Sequence, residues 1–434
     1  MSANARLDQI QSHIDPAQSA SATWESVPQA PPDVIFQLTA AYKADKYEKK
    51  VNLGVGAYRD NDGKPWVLPS VKKAQAILLN DDTVDHEYLS ITGLPEFVAS
   101  AAKLILGKDS AATSEGRVTS VQTISGTGAN HLAAVFLARF YDWSRAGGEK
   151  KIYISNPTWA NHKAIFNAAG IEPVDYPYYD AKTVGLDFEG FTGALKSAPN
   201  RSVFLLHACA HNPTGVDPTK EQWGAISDIF LAKGHMAFFD CAYQGFASGS
   251  LDADAFAVRH FVAQKNIPLL ICQSFAKNAG LYGERVGALH VVSASKKQEA
   301  AVKSQLSVIQ RAEISNPPAF GARVVSLILN DNALWEQWNK DVKFMAERII
   351  DMRKQLHSLL TEKHKTPAPG GNWDHILKQI GMFSYLGLTP KQVKYIVDEG
   401  HIYMTGNSRI SMAGLNTHNV AYVAEVIDKA ARTA

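Results

Sequence analysis

Residues 268–287 read PLLICQSFAKNAGLYGERVG, and the fold follows from how that stretch is parsed. From Pro268 to Cys272 it is apolar throughout and opened by a proline, the pattern of a short buried strand. Past its end stands Lys277, with Ser274 three residues before it and Arg285 eight after. A buried lysine loses its charge readily, and its neutral amine can then attack a carbonyl. A hydroxyl and a guanidinium beside it would hold a phosphate. A lone lysine at a strand end is ordinarily a surface residue. Here the rest of the chain supplies complementary parts.

Outward from this stretch, strands are expected at Val118–Ser125, Lys151–Ser155, Val203–Ala208, Met236–Asp240, Pro268–Ser274 and Ala288–Val292. A helix apolar on nearly all sides is expected over Ala129–Arg145. Another spans Thr219–Lys233, opened by the capping box Thr219-x-x-Gln222. Long helical patterns dominate from about Ser295, including roughly Asn332 to Lys363. Strands separated by helices imply an α/β fold, with a mostly parallel sheet flanked by helices and joined by right-handed crossovers. Ligands of such sheets bind at the carboxyl ends of strands. Five expected strand ends carry chemistry: Ser125 to Thr127, Asn156 to Trp159, His207 to Thr214, Asp240 to Tyr243, and Ser274 to Lys277.

With 434 residues the chain is long enough for two domains, or one large domain with a satellite. Its 46% hydrophobic and 20% charged residues fit a globular protein. A net charge of +2, from 44 basic and 42 acidic residues, gives no reason to expect nucleic acid or an anionic membrane as partner. Cys209, Cys241 and Cys272 lie in apolar segments and read as free thiols in a reducing compartment. No stretch approaches the ~18 apolar residues of a membrane span. The first residues carry neither a secretory core nor the basic bias of a transit peptide, so the cytoplasm is the expected location. The sequon Asn200-Arg201-Ser202 is then idle. Residues 1–33, polar and then proline-rich, read as an extended arm. No metal site is read from the sequence.

Gly126 and Thr127, at a strand-to-helix junction, offer backbone N–H groups and a helix dipole to an anion. A glycine turn before a helix is weak evidence alone, and Ser-Gly-Thr-Gly lacks the third glycine of a dinucleotide fingerprint. Asp240 ends the hydrophobic run from Met236 to Phe239; under a pyridine ring it would keep the ring nitrogen protonated. Tyr243 and Asn212 could hydrogen-bond a phenolic oxygen on that ring, and Trp159 offers a flat face to stack on it. His162 and His211 are ordinary structural histidines on their face, with support of Asp240 as the sharper option. Arg311 and Arg409 would suit a dicarboxylic amino acid, because guanidinium binds carboxylate in a planar fork. An aldehyde-binding amine, a phosphate clamp and an acid beneath a ring together are what pyridoxal phosphate requires.

Assembled, these residues resemble the aspartate aminotransferases, of the pyridoxal-phosphate fold-type I superfamily. The resemblance runs from about Val27 to the C-terminus, through Val51–Arg59, Pro65–Pro69, Tyr88–Phe97, Ser125–Ala129, His211–Thr219, Asp240–Phe246, Ser274–Gly287, Ser315–Pro318 and Gly406–Ile410. It implies a large cofactor-binding domain over residues 67–345. A smaller α/β domain would be built from both chain ends, residues 34–66 and 346–434. Lys277 would bind the cofactor aldehyde and shuttle the proton. Asp240 would pair with the ring nitrogen, Tyr243 and Asn212 with the ring oxygen, and Trp159 would stack. Gly126, Thr127, Ser274 and Arg285 would hold the phosphate. The similar enzymes are homodimers with shared sites, so Tyr88 would reach a second copy's phosphate and Arg311 the substrate side chain there. Arg409, helped by the Gly56 backbone, would take the α-carboxylate, and Phe383 matches a site phenylalanine. The expected reaction is transamination between aspartate and 2-oxoglutarate. The alternatives are an aromatic-amino-acid aminotransferase of the same subgroup, then a lyase or decarboxylase with the same cofactor. One departure is Ser90, where such enzymes often have proline.

Overall fold

The computed structural model describes residues 24–31, 33–264 and 267–433. The arm expected over residues 1–33 lies largely outside them; what is described ends at Asp33, whose carboxylate caps the helix Val34–Ala44 by accepting from the N–H groups of Ile35 and Phe36.

Seven strands form the central sheet: β1 Val118–Ile124, β2 Lys151–Asn156, β3 Glu172–Pro177, β4 Val203–His207, β5 Met236–Cys241, β6 Leu269–Ser274 and β7 Val286–Val292. Their spatial order is β1-β7-β6-β5-β4-β2-β3. All ladders are parallel except those of β7, which runs against both β1 and β6. The six expected strands are all present. β3 was not anticipated: Pro173 and Pro177 argue against a strand, and they are tolerated because β3 is at the sheet's edge.

Successive residues of the inner strands point to opposite faces. Phe204, Leu206, Phe239 and Ile271 enter one buried cluster, and Val203, Leu205, Phe238 and Leu270 another. The helix α1, Ser125–Phe140, starts directly at the end of β1 and covers the second face. It begins four residues earlier than expected and stops at Phe140, not Arg145; the chain then turns, with the Trp143 indole donating to Leu137 O. The helix α2, Lys220–Lys233, carries both hydrogen bonds of its Thr219/Gln222 capping box and ends at Gly234 in the left-handed conformation. The helix α3 is Lys296–Glu313, and α4, Asn332–Ser358, runs on into one wider π turn at Leu359–Lys363.

Both chain ends meet beside the sheet. Val51–Asn52 pairs with Ile402–Tyr403 in parallel, and Phe383–Tyr385 pairs antiparallel with Arg409–Ser411. A third buried cluster joins these strands and the helix Val420–Thr433 to Phe97, Tyr243 and Phe275. The three cysteines are unpaired and buried. Among the described residues, no helix is long and apolar enough to cross a membrane.

Candidate active site

The carboxyl ends of β1, β2, β4, β5 and β6 converge on one cavity of about 140 Å³. It is lined by Ser125, Gly126 and Thr127 after β1, Trp159 after β2, Asn212 after β4, Asp240 and Tyr243 at β5, and Ser274 and Lys277 at β6. Arg285 joins them because β7 is antiparallel: it enters the sheet at the edge where its neighbours leave. His207 and Cys209 also line the cavity. Both fall in the strand end His207 to Thr214 singled out from the sequence, but sequence reasoning gave neither a role in the site.

One end of the cavity is built for an anion. Gly126 lies in the first turn of α1, and a Cβ there would sit 3.1 Å from Ser274 Cβ, in the space between β6 and the helix. The Ser125 and Ser274 hydroxyls are 3.1 Å apart. Arg285, at φ 54°, donates to Tyr282 O at 3.1 Å. Ser125, at φ 63°, is the second non-glycine here in the left-handed region. Two such backbones at one pocket are a cost that tertiary packing must hold in place.

Asp240 is buried in the same cavity, its Oδ1 4.0 Å from where a Cβ on Gly126 would stand, and His162 Nε2 lies 3.0 Å from its Oδ2. A chain of donors fixes how that ring is turned. Burial holds His207 down to about 3, so its ring is neutral. His207 Nδ1 accepts the Asn212 N–H at 3.3 Å, which puts its own hydrogen on Nε2, 3.1 Å from the Thr158 hydroxyl. Thr158 then offers its hydrogen to His162 Nδ1 at 2.9 Å, and the His162 N–H faces Asp240. Burial would raise the Asp240 carboxyl. The His162 hydrogen bond, with the charge of Lys277 nearby, outweighs it and holds the group below its ordinary value. His211 does not serve Asp240: it binds the Ser155 and Thr214 hydroxyls and stacks on Tyr178 at 4.0 Å.

Lys277 Nζ lies 5.3 Å from the Tyr243 ring centroid. Burial lowers its affinity for a proton; Asp240 opposes this and Arg285 adds to it. The phenol of Tyr243 is pushed up by burial and stays protonated, able to donate.

Arg409 stands beyond Tyr243. Its Nη2 donates to Gly54 O at 2.9 Å, and its guanidinium carbon lies 4.3 Å from the Phe383 ring centroid. Its Nε is buried without a hydrogen-bond partner. A Cβ on Gly56 would come within 3.1 Å of the same Phe383 ring, which meets Tyr243 edge-on at 6.1 Å. A guanidinium fork with an unpartnered buried donor, over an aromatic face, has the chemistry to take a carboxylate.

Tyr88 and Arg311 are not brought to this cavity. Tyr88 is 87% exposed, and the exposed Arg311 binds the Ser315 hydroxyl. Both rise from one surface, since Asn316 donates to Leu89 O and Gln310 to Ile91 O. Ser90 closes a turn in that segment, donating its hydroxyl to Gly93 O at 2.6 Å.

The residues present fit pyridoxal phosphate. A helix start without a Cβ, two serine hydroxyls and an arginine are the donor set of a phosphate. A lysine with a weakened hold on its proton suits an aldehyde, and a fixed carboxylate suits a ring nitrogen.

Residues 48–427 match the family described as aminotransferase class I and II. A cytoplasmic aspartate aminotransferase of Saccharomyces cerevisiae is 50% identical over 408 residues, 93% of this chain and 95% of that protein. A solved structure of aspartate aminotransferase from the cytoplasm of the same yeast superposes with a TM-score of 0.91 at 49% identity, covering 95% of this chain and 99% of the other. An aromatic-amino-acid aminotransferase from Burkholderia pseudomallei, covalently bound to pyridoxal phosphate, gives a TM-score of 0.90 at 40% identity, covering 95% and 100%. With its strand ends, its lysine and its clamps arranged as described, the chain belongs to the class I and II aminotransferases.

Proposed function

We propose that the protein is an aspartate aminotransferase, exchanging the amino group of L-aspartate with 2-oxoglutarate to give oxaloacetate and L-glutamate. The observation that carries the reading is that Asp240, Lys277 and Tyr243 line one cavity, and that the Phe383 ring that meets Tyr243 edge-on also carries the Arg409 guanidinium: a ring-nitrogen partner, an amine and a carboxylate fork. Gly126, Thr127, Ser274 and Arg285 would hold pyridoxal phosphate, which would supply an aldehyde for the amino group and a ring able to store an electron pair.

The chain's own residues do the rest. Arg409, with the Gly56 backbone beside it, holds the α-carboxylate and so fixes which Cα bond stands ready to break. Lys277 Nζ, with its charge weakened by burial, takes the proton from Cα. Asp240 keeps a proton at the ring nitrogen, oriented by His162. Asn212 and Tyr243 would donate to the ring oxygen, and Trp159 would supply the stacking face. Tyr88 and Arg311, exposed on this chain, serve the site of a second copy in a homodimer, Arg311 gripping the substrate's side-chain carboxylate.

Residues 34–66 and 346–434 form the smaller domain of this reading, and 67–345 the larger. The pairing of Val51–Asn52 with Ile402–Tyr403 supports that division. Closure of the smaller part over two charged clamps would exclude water. The cytoplasm is the compartment of the reading, as it is of the named yeast relative.

The visible spectrum of the purified protein tests the proposal. A band of lysine-bound cofactor that disappears with aspartate and returns with 2-oxoglutarate is expected. A band that responds to phenylalanine and ignores aspartate would move the assignment to the aromatic aminotransferases, which the Burkholderia likeness keeps in view. Release of ammonia or carbon dioxide without an oxo-acid acceptor would move it to a lyase or decarboxylase.

A further inference from the structure

Arg353, on α4, is 3% exposed. None of its hydrogen bonds goes to a carboxylate; Nη1 donates to Ile376 O at 3.0 Å, and Nη2 to Gly381 O at 2.9 Å and to Phe383 O. Burial lowers its hold on the proton to about 9, so it is still a cation at neutral pH. A buried charge solvated only by main-chain oxygens is expensive to keep. It is spent on one short segment, residues 376–383, which ends in the phenylalanine beneath Arg409.

That segment is gripped from other sides as well. Ile380 N donates to Gly215 O at 2.8 Å, and Met412 N to Met382 O at 2.8 Å. A Cβ on Gly215 would lie 2.9 Å from Phe383 O, the oxygen that Arg353 takes, and one on Gly381 would lie 2.4 Å from Ala210 Cβ. Five residues earlier on α4, Arg348 holds the facing loop, donating to Tyr58 Oη at 2.8 Å and to Arg59 O. The two loops meet where Phe383 touches Gly56, under the Arg409 guanidinium.

We propose that Arg353 is a positioning residue for the α-carboxylate clamp: by fixing the Gly381 and Phe383 carbonyls it sets the Phe383 ring against Gly56 and beneath Arg409. Arg353 touches neither substrate nor cofactor and acts through Phe383. The inference rests on the reading of Arg409 given above.

The test uses the holoenzyme with Arg353→Lys and Arg353→Met, the first keeping the charge on a linear stem and the second keeping an unbranched apolar stem without charge. Each half-reaction, followed by absorbance, gives KM and kcat for aspartate and for phenylalanine. KM should rise about tenfold, by the same factor for both amino acids, because both present an α-carboxylate. The kcat should stay within roughly threefold. Combining Arg353→Lys with Phe383→Leu should be no worse than the poorer single variant, since both act on one ring. Unchanged KM, a loss confined to aspartate, or multiplied losses in the double variant would each overturn the proposal. Failure of both variants to fold would also overturn it, making Arg353 a residue of the fold alone. If the unaltered enzyme ignores both amino acids, the functional reading fails and this inference falls with it.

Discussion

His162 Nε2 lies 3.0 Å from Asp240 Oδ2, and both side chains are buried. Take the donor away and burial, which alone raises the carboxyl, is opposed only by more distant charge. His162→Leu should therefore shift the acid limb of the pH–kcat/KM profile to higher pH and lower the plateau by about 10²-fold. His162→Gln, which restores a donor, should recover part of the loss. An acid limb that does not move would disconnect His162 from the state of Asp240.

Lys277→Ala should leave the fold intact and lower single-turnover transamination of aspartate by about 10⁴-fold. The visible band of lysine-bound cofactor should be lost as well. Near-normal turnover would remove Lys277 from the chemistry.

Arg311→Asp should weaken use of aspartate by roughly a hundredfold and improve use of cationic amino acids, because the sign of the side-chain grip is reversed. The check is kcat/KM for aspartate against arginine. An unchanged preference would exclude Arg311 from the side-chain seat.

Acid should loosen the fold before it protonates ordinary carboxylates. Burial holds both His207 and His290 down to about 3, whereas an unfolded histidine takes its proton near pH 6.5. Between those limits the unfolded chain binds more protons, so stability falls as pH falls, by up to about 1.4 kcal/mol per pH unit for each ring. Asp217, pushed up to about 6 by burial, acts with the opposite sign below pH 6 and offsets part of this. Tm should drop between pH 7 and pH 5, and less so in His290→Gln, which removes a ring bonded to Ser120 and Gln273 far from the cavity. Equal drops in both proteins would refute the assignment to His290.

What the sequence disclosed depended on whether a residue's partner leaves a mark of its own. β6 was legible because its residues are buried and the first four, Leu269 to Cys272, are all apolar. The capping box was legible because Thr219 and Gln222 bond each other's backbone within four residues. The start of α1 was misplaced because glycines read as a break. Gly128 is in the helix, and its missing Cβ leaves room for Ile124, whose side chain would lie 2.5 Å away. β3 was missed because its prolines are tolerated only by virtue of its place at the edge, which is a property of the finished sheet. Arg353 was silent for a similar reason. Its partners are carbonyl oxygens, which every residue has, so nothing in the sequence sets it apart from a solvated helical arginine.

Cys241 and Cys272 sit at the middle of the sheet, 1% and 0% exposed, between two helical layers. A thiol reagent can reach them only when a layer lifts away from the strands. Once the cavity thiol is removed as Cys209→Ala, the rate at which the folded protein takes up a thiol-reactive dye counts those openings, and the two sheet cysteines serve as the chain's own clock of unfolding.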